Sequence, residues 1–149
     1  MENQDQPKVD QKEETVDIDQ QDDLSLDDFC TREEANAGRQ MFLARPDGRA
    51  TKKYLVVRGI DSDEYRRVHQ RNMRNAIRIA AIKDDDERAK KIEQCQMDEI
   101  VSLVSGWNFD KPFNEHSLRD FLLRAPQISE EIDRFAGNRI RFFSSPPIK

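Results

Sequence analysis

Apolar and polar positions along this chain change period several times, and each change marks an element. Gln40–Ala44 is a short apolar run, Lys53–Val57 is β-branched and aromatic, and Pro46-Asp47-Gly48 lies between them. Proline suits an early turn position and glycine a position with positive φ, so the two runs are predicted to pair as an antiparallel hairpin. Two strands alone are marginal in water, so one face must pack on helices or on another chain.

After Gly59 the period becomes helical. Asp61 with Glu64 three residues on resembles a capping box, and Ser62 is a second candidate cap. A helix is predicted from there to about Lys83, with Tyr65, Val68, Ala76, Ile79 and Ala80 as its apolar stripe and Asn72 interrupting it. Asp84-Asp85-Asp86 breaks the pattern and starts a second helix, where its charge opposes the positive end of the macrodipole. That helix is expected over Glu87–Ser105, with Ala89, Ile92, Ile100, Leu103 and Val104 near one face and Gly106 as its stop. The simplest arrangement of the two is an antiparallel helical hairpin.

Two shorter helices end the pattern. Asn114 is placed to cap Glu115–Arg124, with Leu118, Phe121 and Leu122 on one face. Pro126 ends that helix and opens the next, which repeats Ile128, Ile132, Phe135 and Ala136 at helical spacing. Ile140 and Phe143 extend the run, and Ser144-Ser145-Pro146-Pro147 ends regular structure. The fold class is mainly α within α+β: a short N-terminal β-hairpin, a helical hairpin and two shorter C-terminal helices.

Charge changes this picture at one end. The chain of 149 residues is 37% charged and 36% hydrophobic, so a core requires the charge to be unevenly spread. Residues 1–30 hold eleven Asp or Glu against Lys8 and Lys12, a net of −9. Because the whole chain is −5, the remainder nets +4. The few apolar residues of the acidic head do not offset the entropy of ordering it. Three readings stay open: a solubilising tail, a fold-on-binding segment anchored by Leu24, Leu26 and Phe29, or a flap over the basic body. The chain therefore divides into an acidic disordered head (1–36), an α-rich domain (37–143) and a flexible tail (144–149).

The N-terminus is acidic without an apolar core, so no signal peptide is expected, and no apolar run has the length of a membrane span. Cys30 and Cys95 lack metal-ligand spacing and are expected to be free thiols of a cytosolic protein. His69 and His116 have no second ligand at metal spacing, so no metal or cofactor is expected. His116, Ser117 and Asp120 are triad residue types, but one helical turn fans them around the axis. The expectation is a protein that is not an enzyme.

Two groups remain as candidate partner contacts. Arg67, Arg71 and Arg74, with Arg66 and Arg78, lie on the first long helix. They are read as a solvated or ion-paired face, as a dock for an acidic protein surface, or as phosphate contacts. The acidic pI of about 5.2 and the absence of interleaved aromatics disfavour nucleic acid. Trp107, Phe109 and Phe113, with Phe121 and Phe135 on the helices that follow, either seal the core or anchor a partner.

Taken together, the Val57–Tyr65 run (VRGIDSDEY), the helical hairpin, and the Gly106-Trp107-Asn108-Phe109 junction with its Pro112-Phe113-Asn114 helix start form a pattern. With the Pro126-Gln127-Ile128 step and the aromatic end, it resembles the tail assembly chaperones of long-tailed bacteriophages over residues 40–143. The acidic head lies outside the pattern. The resemblance implies a small, non-enzymatic helical protein in the host cell cytoplasm. It would coat the tape measure protein, recruit tail tube protein, self-associate, and leave before the tail is complete. Many such proteins are made in two lengths by frameshifting, and the Ser-Ser-Pro-Pro-Ile-Lys ending fits a short form. Two other classes are a structural virion component (a tail or head–tail adaptor) and a small DNA-associated regulator.

Overall fold

The computed structural model describes residues 23–143; positions 1–22 and 144–149, and with them most of the acidic head and the whole tail, lie outside the described residues. The chain runs α1 (Arg32–Ala37), β1 (Arg39–Ala44), β2 (Ala50–Val57), α2 (Asp63–Ala80), α3 (Asp85–Ser102), β3 (Val104–Trp107), α4 (Glu115–Arg124) and α5 (Pro126–Gly137). Short 3-10 turns at Leu26–Phe29 and Arg139–Phe142 flank these elements. The fold is mainly α with one antiparallel sheet in the order β1-β2-β3, as the class read from the sequence requires.

Local chemistry accounts for the hairpin. Gly48 takes φ 89°, its amide donates to the Arg45 carbonyl at 2.8 Å, and Arg45 closes the loop onto Arg49 at 2.8 Å. In β1, Met41 and Leu43 face inward while Gln40, Phe42 and Ala44 face out. Leu55 and Val57 of β2 and Val104 of β3 join them, and this face packs on Leu118 and Leu122 of α4 and Ile128 and Ile132 of α5. The other sheet face carries Phe42 edge-on to Tyr54 at 5.6 Å.

The starts of α3, α4 and α5 agree with the sequence reading. The Asp84 carboxylate accepts from the amides of Asp86 (2.9 Å) and Glu87 (3.3 Å), and the Asn114 side chain from that of Ser117 (2.8 Å). Pro126 opens α5.

Several expectations are corrected. The third helix stops at Ser102, not Ser105, and Gly106 is no helix stop: it lies in β3, opposite Val56 of β2. Pairing with β2 outweighs one more helical turn, and the Asn108 side chain prolongs the ladder by accepting from the Tyr54 amide at 2.8 Å. Helix α2 ends at Ala80 rather than Lys83; Ser62, the second candidate, is its N-cap residue, but its side chain makes no capping bond. The Asn36 side chain accepts from the Asp63 amide at 2.8 Å, while Asp61 turns away to Arg139. Of the expected α2 stripe, Val68 is buried and Tyr65 is half-buried against the core, but Ala76 and Ala80 are exposed and Ile79 is half-buried away from it. Past Gly137 the chain makes a 3-10 turn that buries Phe142 and leaves Ile140 and Phe143 outside.

The last correction concerns the head. A boundary at residue 36 cuts α1, which is folded onto the body. Ala35 is buried, and its carbonyl accepts from the Gly59 amide at 3.1 Å. Arg32 pairs with Asp63. Leu24, Leu26 and Phe29 are exposed.

Asp61 and Arg139 tie the C-terminal turn to the start of α2 through two bonds, Nε to Oδ2 at 2.7 Å and Nη2 to Oδ1 at 2.9 Å. The bond from Arg139 is the main reason the Asp61 carboxyl is held below the ordinary carboxylate range. A depressed carboxyl stabilises the fold above its unfolded pKa, and that stability is lost as pH falls through the folded value. Arg139→Ala is therefore expected to cost about 1 kcal/mol near neutrality, the low end for a charged bond because the guanidinium is solvated. Urea titrations at neutral and acid pH check this: the gap between variant and parent should close in acid.

Candidate docking surfaces

The aromatic residues singled out in the sequence converge. Trp107, at the end of β3, meets Phe113 at 5.1 Å, Phe109 at 5.6 Å and Phe121 at 6.3 Å between ring centroids, each edge-to-face. Its indole N–H donates to the Lys111 carbonyl at 2.8 Å, which closes the loop between β3 and α4. All four rings are half-buried and packed against the core. Of the two sequence readings, this geometry supports the seal. Phe135 sits apart, buried, with Phe142 edge-to-face at 6.0 Å and the Arg141 guanidinium over its ring at 4.9 Å.

The arginines of α2 divide. Arg67 bonds Glu64 at 2.6 Å on its own helix and Arg71 reaches Asp98 of α3 at 3.2 Å. Asp98 also accepts from Arg119 of α4 at 2.6 Å, so one carboxylate joins α2, α3 and α4. Arg67 is thus the basic residue beside Glu64 that draws that carboxyl below its ordinary range. Arg74 and Arg78 stay exposed farther along α2.

The triad residue types are occupied otherwise. Ser117 is buried beneath the Asn114 cap, His116 is exposed, and Asp120 points to Arg124 at 3.9 Å. Among the described residues no group of three or more His, Cys, Asp or Glu gathers as a metal site, and Cys30 and Cys95 are free. No helix among them is long and apolar enough to cross a membrane.

Two apolar surfaces were not evident in the sequence. An open groove of about 760 Å³ runs between α3 and the α4–α5 pair, lined by Met97, Ile100, Leu122, Leu123 and Pro126. Leu123 is 71% exposed there. Around the groove stand four carboxylates, Glu93, Glu99, Glu130 and Asp133, against Lys90 and Arg119. Within it, Tyr65 has its phenol pushed up, mainly by burial and then by Glu99. The second surface lies on the far half of the α2–α3 hairpin, where Met73, Ile77 and Ile92 are exposed. The hydrophobic repeat gave part of the signal for it, since Ala76, Ile79 and Ala80 hold a helical period without a core element to face.

The fold defines a class: a small α+β module with a packed aromatic junction and open apolar surfaces on its helices. Residues 38–134 match the family model for phage tail assembly chaperones, and the chain belongs to that family. Among curated proteins and among solved structures, no match is found.

Proposed function

We propose that this protein acts in the host cytoplasm on the tape measure protein, keeps that long helical client soluble, brings tail tube subunits to it, and self-associates while doing so. The observation that carries this reading is the groove between α3 and α4–α5. An apolar floor of this kind takes the greasy face of an amphipathic helix, read by anchors at i, i+3 or i+4, and i+7. Its carboxylate rim favours a helix whose flanks carry Lys or Arg. A chaperone for such a client must offer apolar surface without aggregating, and the −9 charge of residues 1–30 supplies solvation and mutual repulsion.

Leu123 gives the test. Co-expressed with the tape measure protein, the parent chain should hold the client in the soluble fraction and co-purify with it. Leu123→Glu, on an exposed side chain, should leave the fold intact and reduce recovery roughly tenfold or more, as expected for charging an apolar anchor. A client equally soluble without this protein, or bound equally by the variant, would remove the basis for the reading.

A further inference from the structure

From Tyr65 to Lys83 the chain has six basic residues and no carboxylate. Two of the six are engaged, Arg67 with Glu64 and Arg71 with Asp98. Arg66, Gln70, Arg74 and Arg78 follow one another at i, i+4, i+8 and i+12, a single ridge of α2, and all four are exposed. Among the described residues no carboxylate pairs with these three arginines. Arg66 lies near Asp61 and Asp63, but Arg139 holds the first and Arg32 the second. On the inner side of α2, Glu99 is taken by His69 and Asp98 by Arg71 and Arg119. Met73 and Ile77, both exposed, run beside the arginine row. The turn Asp84-Asp85-Asp86 closes the row at its far end, so an acidic occupant has to enter from the Asp63 end.

The chain's own head has the matching character and starts from that end. Residues 13–23 hold Glu13, Glu14, Asp17, Asp19, Asp22 and Asp23 with no basic residue, and Val16 and Ile18 interleave with the carboxylates. Arg32 and Asn36 of α1 both bond Asp63, in the first turn of α2, so the chain preceding α1 comes in where the row begins. Length permits the contact. Thirteen residues separate Asp19 from Arg32, up to about 43 Å of chain when extended. Along α2, Asp63 and Arg78 are about 22 Å apart. The tether also gives the segment an effective concentration on the order of millimolar at the row, which a free acidic partner has to exceed.

We infer that residues 13–23 dock on the outer face of α2 of the same chain, with their carboxylates on Arg66, Arg74 and Arg78 and with Val16 and Ile18 beside Met73 and Ile77. Of the three readings of the acidic head, this selects the flap over the basic body and says where it lies. Seated there, the head screens the arginine row from other polyanions. The assignment does not rest on the client groove, which Leu123→Glu tests separately.

A nitroxide attached through Gln70→Cys, in the middle of the row, tests it on the full chain carrying Cys30→Ser and Cys95→Ser. Far-UV circular dichroism checks the fold of each variant. Backbone amide signals of residues 13–23 should be broadened more strongly than those of residues 1–8. Salt at about 1 M, where the Debye length is about 3 Å, should release them. Arg74→Glu with Arg78→Glu should abolish the broadening. Adding Asp17→Arg with Asp19→Arg to that variant should bring it back, which a damaged fold could not do. Broadening that is absent from the parent, or that persists in Arg74→Glu with Arg78→Glu, overturns the assignment. So does equal broadening of an isotope-labelled chain lacking the nitroxide when a nitroxide-bearing copy is mixed in, since the head would then lie on a neighbouring molecule.

Discussion

Trp107→Ala is expected to lower the stability of this protein by about 3 kcal/mol, at the low end for large aromatic truncations because the ring is half-buried. Three phenylalanine rings meet the indole edge-to-face, so its removal strips a contact from Phe109, Phe113 and Phe121 together. The indole N–H bond to Lys111 is lost as well, and with it the tie that holds the loop before α4. Trp107 also lies opposite Leu55, a fully buried residue of the central strand, so the cavity opens toward the core. At about 2–4 °C per kcal/mol for a chain of this size, the melting temperature should fall by roughly 10 °C. The chain has one tryptophan, so far-UV circular dichroism must follow the melt. Trp107→Phe should recover more than half of the loss. An unchanged melt with client binding abolished would restore the exposed-anchor reading of this residue.

What the sequence revealed follows the range of the interactions involved. Helices α3, α4 and α5 were legible because Asp84, Asn114 and Pro126 act within three residues of themselves. The β1–β2 hairpin was legible because its turn glycine and its strands are contiguous. Strand β3 was hidden: four residues are too short to show alternation, and Ile100, Leu103 and Val104 continue the helical period of α3. Helix α1 was hidden for another reason. Six residues are far too few to be helical alone, and it is held by Ala35 under Gly59 and by Asn36 at the start of α2.

The candidate site divided in the same way. Trp107, Phe109, Phe113 and Phe121 are close in sequence and their convergence was foreseeable. Asp98 gathering Arg71 and Arg119 was not, because its partners come from two other helices. Nor does a pattern of adjacent leucines say that Leu122 is buried while Leu123 lines a groove; that depends on how α3 sits against α4 and α5. Phe142 and Phe143 repeat the lesson, since a 3-10 turn turns the first inward and the second out.

Gly38→Ala is expected to have the second large effect, and its reason is geometric. Gly38 joins α1 to β1 at φ 75° and ψ 175°, a region that residues with a Cβ scarcely enter. An added Cβ would also stand 3.0 Å from the Val57 carbonyl oxygen and 3.2 Å from Val56 Cγ1, both on the central strand. Strain and overlap add, so the loss should reach about 3 kcal/mol. Gly48 provides the internal control. It too has positive φ, at 89°, but nothing lies within 4 Å of its would-be Cβ. Gly48→Ala should therefore show the backbone component alone, about 1 kcal/mol. Urea midpoints for the two variants would measure the difference. Hydrogen exchange locates it: in Gly38→Ala, α1 should lift from the body, so the Asp63 amide loses the Asn36 side chain and exchanges faster. Equal losses for the two variants, with Asp63 still protected, would mean that α1 docks without the special conformation at Gly38.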